Sequence, residues 1–348
     1  MRAAFVYPNP RLELAADVAA GRAPDTGLLG QNHLAALGIE SRIHEPAVGR
    51  GGGGRGFVHR LAWSARELTL PWELRDADVA ITPLANLLPL AARMRRRPAV
   101  VVVSYGLATT WRRASRARRR LLRASLASAA KVLCLSSSQR DELVAATGLD
   151  QERVAVLLLG VDERFFAPAP PPATGYVLAV GKDLARDYET LARAAESLDL
   201  PVRLVAHPRN LVGLRLPPNV ETAYGLSWSE LRDAYAGAAC VVLPLRRPEY
   251  SFGTEGSGLT ALLEAMASAR ALVVTDRAIF RDYVADRESC IAVPAEDPAA
   301  LAAAIGEVAG DAELAERLGA RGRELVEERF TTRLMAERLA SVIRGLDA

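Results

Sequence analysis

The stretch Glu255–Asp276, EGSGLTALLEAMASARALVVTD, joins a glycine-rich turn, a short helix carrying one acid and an apolar β-strand. A turn that ends in glycine and opens a helix leaves several backbone N–H groups without carbonyl partners, all pointing one way. The helix dipole adds roughly half a positive charge at that end, so the turn suits a phosphate or diphosphate. Glu264, one turn into the helix, can accept hydrogen bonds from neutral hydroxyls such as those of a ribose. An anion seat beside a hydroxyl acceptor describes a nucleotide site. Ordinary β-to-α turns also use glycine, so the order of the flanking elements decides the reading.

Upstream, strands and helices alternate. Apolar runs predict strands at Ala3–Tyr7, Ser41–His44, Val79–Thr82, Ala99–Val103, Lys131–Ser136 and Val154–Leu158. Continuous apolar runs mark parallel strands covered on both faces. Helices are expected at Gln31–Leu37, closed by Gly38, and at Gln139–Thr147. Gly51–Gly54, with Arg50 and Arg55 beside it, reads as a flexible loop. Ala167–Thr174 is rich in proline and alanine and reads as a stiff linker. The alternation then restarts, with strands at Tyr176–Val180, Val202–Ala206, Val220–Tyr224 and Cys240–Leu243. Helices are expected at Tyr188–Glu196, at Ser229–Ala238 capped by Ser227 or Ser229, at Pro298–Ala309 and in the tail to Ala348. Two βα-repeating halves imply an α/β protein of two doubly wound domains facing a cleft. The expected division is 1–166, with 335–348 returning to it, and 167–334.

With these elements in place, the chain resembles the retaining glycosyltransferases of family 4, which have the GT-B fold of two Rossmann-like domains. Gly258, Leu259, Thr260, Leu263, Glu264, Ala265, Met266, Ala267, Val273 and Val274 fit the family's signature in position. Two departures stand out. The family's first acid lies eight residues before the second, where this chain has Gly256, and Glu255 lies nine before Glu264. The usual Gly and Pro after the helix are Ala269 and Ala271. Gly160-Val161-Asp162 with Phe165 resembles the family's N-G-V-D turn, Leu159 replacing the Asn.

The resemblance implies that Gly181-Lys182 and Arg186, after the strand Tyr176–Val180, meet the donor diphosphate, where the family has a Gly-Arg and a second cation. Only two of the chain's 44 basic residues are lysines, Lys131 and Lys182, which makes a lysine at a strand end unusual here. Lys182, Arg186 and Glu255 are therefore the catalytic candidates. Gly181, Gly256, Ser257, Gly258, Leu259, Thr260 and Glu264 are the donor-binding ones. On the acceptor side, Gly27 lies in a loop expected to line the cleft, and Ser104-Tyr105-Gly106 occupies the place of the family's His. His207, after the strand Val202–Ala206, reads as an ordinary loop histidine, with an approach to the nucleobase as the alternative. The implied reaction moves a sugar from a nucleoside-diphosphate donor to a glycan, lipid-linked or small-molecule acceptor, without metal or resident cofactor. A non-catalytic GT-B scaffold or partner subunit is the alternative, motivated by Glu255 and the two alanines. An epimerase is disfavoured because acids and histidines do not cluster at strand ends.

Composition is compatible with this. The chain has 348 residues, enough for two cores, and is half hydrophobic and a quarter charged. Cys134, Cys240 and Cys290 have no paired spacing, and the four histidines show no metal-ligand pattern. Isolated thiols, with Met1–Pro10 reading as a core strand and Ala80–Ala92 broken by Pro83, Asn86 and Pro89, lead to a cytoplasmic expectation. The net charge of +3 is unevenly spread: Val79–Arg140 contains thirteen Lys or Arg and no acid. Arg112, Arg116, Arg119, Arg120 and Arg123 recur at helical steps, opposite an expected apolar stripe of Ala114, Ala117, Leu121 and Ala124. Unrelieved repulsion on such a face predicts an anionic partner, such as the inner membrane surface, a polyprenyl phosphate or an acidic glycan. Nucleic acid is disfavoured because no aromatic residues interleave with the arginines.

Overall fold

The computed structural model describes residues 1–45, 66–83, 87–170, 175–250 and 252–346. The glycine-rich loop at Gly51–Gly54 and the last four residues of the Ala167–Thr174 segment lie outside the described residues. The chain divides into two compact units, one of residues 1–19, 25–158 and 333–348, the other of 20–24 and 159–332.

The first unit is built on β1 (Arg2–Val6), β2 (Glu40–His44), β3 (Val79–Thr82), β4 (Ala99–Ser104), β5 (Lys131–Cys134) and β6 (Val154–Val156). All pairings are parallel, in the order β2-β1-β3-β4-β5-β6. Alternate residues Val100, Val102 and Val132 face a cluster completed by Leu88, Leu122 and Leu126 from two covering helices. Each fully buried leucine contributes about 1.5–3 kcal/mol. β5 stops two residues short of the expected Ser136 because that serine caps the next helix, its side chain accepting from the Gln139 amide, while Gln139 accepts from the Leu135 amide. Gln31–Leu37 forms two 3-10 turns rather than one helix, bounded by Gly30 and Gly38 at left-handed φ of 78° and 75°. A Cβ on Gly30 would stand 2.9 Å from that of Ala336, and Arg344 donates to Leu37 O at 2.6 Å. The C-terminal helix Thr332–Arg344 thus packs back onto the first unit, as expected.

The second unit carries β7 (Tyr176–Val180), β8 (Val202–Ala206), β9 (Val220–Tyr224), β10 (Ala238–Leu243), β11 (Leu272–Thr275) and β12 (Ile291–Val293). These too are all parallel, in the order β12-β11-β10-β7-β8-β9. Val177, Ala179, Leu204, Val242 and Val273 pack against Leu301, Ile305 and Leu318. Ser227 caps the helix Trp228–Ala236 in a reciprocal box with Glu230. The segments by which the chain enters and leaves this unit are bonded to each other: Val161 N–H donates to Phe330 O and Thr332 N–H to Val161 O. A Cβ on Gly160 would stand 2.7 Å from Thr331 O, so that close approach admits only glycine. Asp162 then turns the chain by accepting from the Arg164 and Phe165 amides. The three cysteines are free and buried. Among the described residues, no helix is long and apolar enough to cross a membrane.

Candidate active site

Gly258 has φ 97°, and a Cβ there would stand 2.9 Å from Phe280 Cζ, so both conformation and space select glycine. The helix that follows, Leu259–Ala267, is buried apart from Thr260. Its first turn is open. Ser257 N–H donates to Thr254 O, but the amides of Gly258 and Thr260 have no acceptor among the described residues. The Ser257 hydroxyl is also buried without a partner. Gly256 lies between it and Glu255, which is buried.

The helix ends without glycine. Ala269 takes φ 52°, its N–H donating to Met266 O and that of Arg270 to Ala265 O. This is a Schellman cap with alanine in the left-handed position, at a cost of about 1–2 kcal/mol. Gly319 packs directly on it, since a Cβ there would stand 2.3 Å from Ala269 O. The alanine therefore preserves the helix end that a glycine would give.

Glu264 is buried and accepts the Tyr235 hydroxyl on Oε2 at 2.8 Å. Burial pushes its pKa up to about 7, against the opposing pull of that hydrogen bond and of the Arg186 charge. Tyr235 is itself fully buried, edge-on to Phe166.

Arg186 is the third element. It is 7% exposed, and its Nε and Nη1 have no partner among the described residues. A Cβ on Gly181 would stand 2.2 Å from Arg186 Nε, which is why the guanidinium requires glycine beneath it. The backbone around Arg186 is stitched to the strand exit of β10: Arg186 bridges Leu245, Asp187 N–H donates to Pro244 O, and Arg246 N–H to Ala185 O. Arg246 closes the join with ion pairs to Asp187 at 3.2 Å and Glu189 at 3.0 Å. Lys182 is exposed at the same loop, its carbonyl held by Arg209 at 2.9 Å. His207, near the same loop, accepts the Arg209 amide and is an ordinary turn residue.

Asp183 ties this loop to the glycine turn. Its carboxylate accepts from the Ala185 amide at 2.8 Å and from the Thr254 amide and hydroxyl, each at 3.3 Å. Lys182, Arg186, the Gly258 turn and Glu264 therefore gather at the carboxyl ends of β7 and β10, where open α/β sheets hold ligands. Sequence reasoning missed Tyr235, Asp183 and Arg246. Only the capping-type spacing of Asp183 before Ala185 was a local signal; the other two act across the fold.

In the first unit, Gly27 and Tyr105 lie near one another through Arg11 and Tyr7. Arg11 Nε is 4.0 Å from the Cβ position of Gly27, its guanidinium sits 5.6 Å from the Tyr7 ring centre, and its charge opposes the burial that raises the Tyr105 pKa. Arg11, whose Nε is buried without a partner among the described residues, is a residue the sequence reading did not single out.

The basic face differs from expectation. Arg112 belongs to a separate helix, Leu107–Arg113, and the next, Arg116–Ser128, begins at the Ser115 cap. The buried stripe of the latter is Leu122, Ser125 and Leu126; Ala117, Leu121 and Ala124 are exposed. Two of the five arginines are engaged: Arg112 pairs with Glu142, and Arg119 donates to the carbonyls of Trp111 and Arg112. Tertiary structure thus brings in an acid from outside the acid-free span. Arg116, Arg120 and Arg123 are exposed with no partner among the described residues.

Residues 18–165 match the model of Glycosyltransferase Family 4, and residues 184–311 that of Glycosyl transferases group 1. The chain is 29% identical over 259 residues to the alpha-maltose-1-phosphate synthase of Mycolicibacterium smegmatis, covering 65% of this chain and 66% of the relative. It is 26% identical over 226 residues to the MMP alpha-(1->4)-mannosyltransferase of Mycolicibacterium hassiacum, covering 61% of this chain and 53% of the relative. The matched regions thus span about a half to two thirds of these relatives. Among solved structures, HepE of Anabaena in complex with UDP-glucose superposes with a TM-score of 0.71 at 13% identity, over 99% of this chain and 100% of that one.

Proposed function

The chain belongs to the family 4 glycosyltransferases of the GT-B fold, and on that footing we propose that it transfers a sugar from a nucleoside-diphosphate donor to an acceptor held by the first unit. One observation carries this reading: the buried, unpartnered guanidinium nitrogens of Arg186 share a site with Glu264 and the open amides of the Gly258 turn. A buried cation with unmet donors costs stability and is offset only when an anion arrives. The named relatives, a mannosyltransferase and a maltose-1-phosphate synthase, and a neighbour holding UDP-glucose support a nucleotide sugar.

When the anomeric C–O bond breaks, its electron pair moves onto the departing diphosphate. Arg186, Lys182 and the Gly258 and Thr260 amides stabilise that added charge without a metal, as fixed cations and dipoles do best in a dry site. Glu264 holds the ribose hydroxyls. Glu255, with the Gly256 and Ser257 amides, meets the donor sugar, and the anomeric configuration is retained. Tyr105, Gly27 and Arg11 serve the acceptor side. Arg116, Arg120 and Arg123, with the exposed Leu121 on the same helix and Met94 and Trp72 on neighbouring ones, support peripheral contact with an anionic membrane surface on the cytoplasmic side.

The test is incubation with UDP-, GDP- and ADP-sugars, monitoring hydrolysis or transfer. Turnover with one donor that disappears in Lys182→Ala is the expected result; silence with every donor, alongside tight binding to a protein partner, would favour the scaffold reading. Ala269 lends the scaffold no support, since its helix end is conserved in form. Sedimentation with phosphatidylglycerol vesicles should fall as salt rises.

A further inference from the structure

A cavity of about 330 Å³ opens in the first unit at the amino ends of β4 and β5, lined by Pro89, Ala92 and Ala129 and by Arg93, Arg96 and Arg153. Tyr105 follows the opposite end of β4, so the cavity lies one strand length, about 17 Å, from the acceptor-side residues of the same unit. No acid lines it. Two helices, Leu88–Arg95 and Arg116–Ser128, end at its rim, and cations at helix ends often do no more than offset the dipole. Here the charges do not cancel. Two helix C-termini supply about one negative charge between them, whereas three arginines line the cavity, leaving an excess of about two positive charges.

The arginines come from separate places in the chain, the last turn of one helix, the left-handed residue that ends it at φ 62°, and the turn before β6. Arg153 is anchored, its Nη1 donating to Ala129 O at 3.1 Å, which leaves its remaining N–H groups for a ligand. The side chains of Arg93 and Arg96 have no partner among the described residues. One anchored and two unpartnered guanidinium forks around this hollow match the oxygens of a tetrahedral dianion.

We propose that this cavity binds a phosphate monoester, carried by a small metabolite or a lipid headgroup, at a site separate from the donor site. The alanine and proline walls leave room for a short apolar portion beside the phosphate.

Calorimetric titration at constant ionic strength tests this, using the full chain carrying Lys182→Ala so that donor-site binding is suppressed. The probes are glycerol 3-phosphate and monomeric dihexanoyl phosphatidic acid. Saturable one-to-one binding is expected, weakened at least 10-fold by Arg96→Gln with Arg153→Gln and by the single change Arg93→Gln, all at exposed positions, and unchanged by Arg97→Gln nearby. Equal affinity for both probes identifies a free phosphate metabolite, whereas a marked preference for phosphatidic acid identifies a lipid headgroup. Absence of saturable binding by either probe, or equal binding by the Arg93, Arg96 and Arg153 variants, overturns the proposal. Because the readout is binding without turnover, it stands or falls independently of the donor reaction.

Discussion

The Tyr235 hydroxyl donates to Glu264 Oε2 across 2.8 Å, and both groups are buried. One carboxylate oxygen is thereby fixed by the protein, which leaves the other for a ribose hydroxyl. The carboxylate is the better acceptor, but burial holds the group protonated up to about pH 7. Affinity for a nucleotide sugar should therefore rise as pH increases through about 7. A sugar diphosphate is the appropriate ligand because it has no phosphate titrating near neutrality. Calorimetry across this range checks the slope, and Glu264→Gln should flatten it while weakening binding.

The same group predicts a stability effect of opposite sign. In the unfolded chain this carboxyl ionises near 4.5, in the fold near 7, so the fold binds more protons between them. Its contribution to stability is thus present at low pH and lost as pH rises across that window, by on the order of 3 kcal/mol. Urea unfolding at both ends of the window should show a smaller decline for Glu264→Gln than for the parent chain.

Tyr235→Phe keeps the ring against Phe166 but removes the donor. Since that hydrogen bond lowers the Glu264 pKa, the binding midpoint should move up, and affinity near pH 7 should fall by about 5-fold. An unshifted midpoint would show that Tyr235 serves packing alone.

Arg186→Met should separate stability from function. Two buried guanidinium nitrogens lack partners, so replacing them with a thioether should raise the ligand-free unfolding free energy by about 1 kcal/mol. Transfer should drop by roughly 100- to 1000-fold. Nucleotide-sugar addition should raise the melting temperature of the parent chain and leave the variant's unchanged.

Two backbone supports yield stability predictions. Ala269→Gly removes the left-handed strain at φ 52° and should stabilise the protein by about 1 kcal/mol with activity unchanged. Arg246→Met removes the cation beside the buried Asp187 carboxylate, which keeps its bonds from the Thr190 amide and hydroxyl, and should cost about 1–3 kcal/mol, less than a fully buried pair because Arg246 is partly exposed. Chemical denaturation measures both.

The strands were legible because parallel strands buried on both faces must be apolar along their length, as in Val79–Thr82 and Tyr176–Val180, both found with the expected bounds. The glycine turn and Glu264 were legible for a similar reason, being set by neighbours within a few residues. The arginine face was misread because helical spacing cannot see the Ser115 break or Glu142, which lies on another helix.

Residue order alone established the two αβ halves, the glycine that opens the Leu259–Ala267 helix and the cationic loop after β7, since periodicity and backbone conformation are local properties. Folding decided which groups are paired and which stay unmet: Tyr235 on Glu264, Asp183 on Thr254, and the buried nitrogens of Arg186 on nothing. Pairing and desolvation depend on contacts between residues up to 71 positions apart in this site, and no local pattern encodes them.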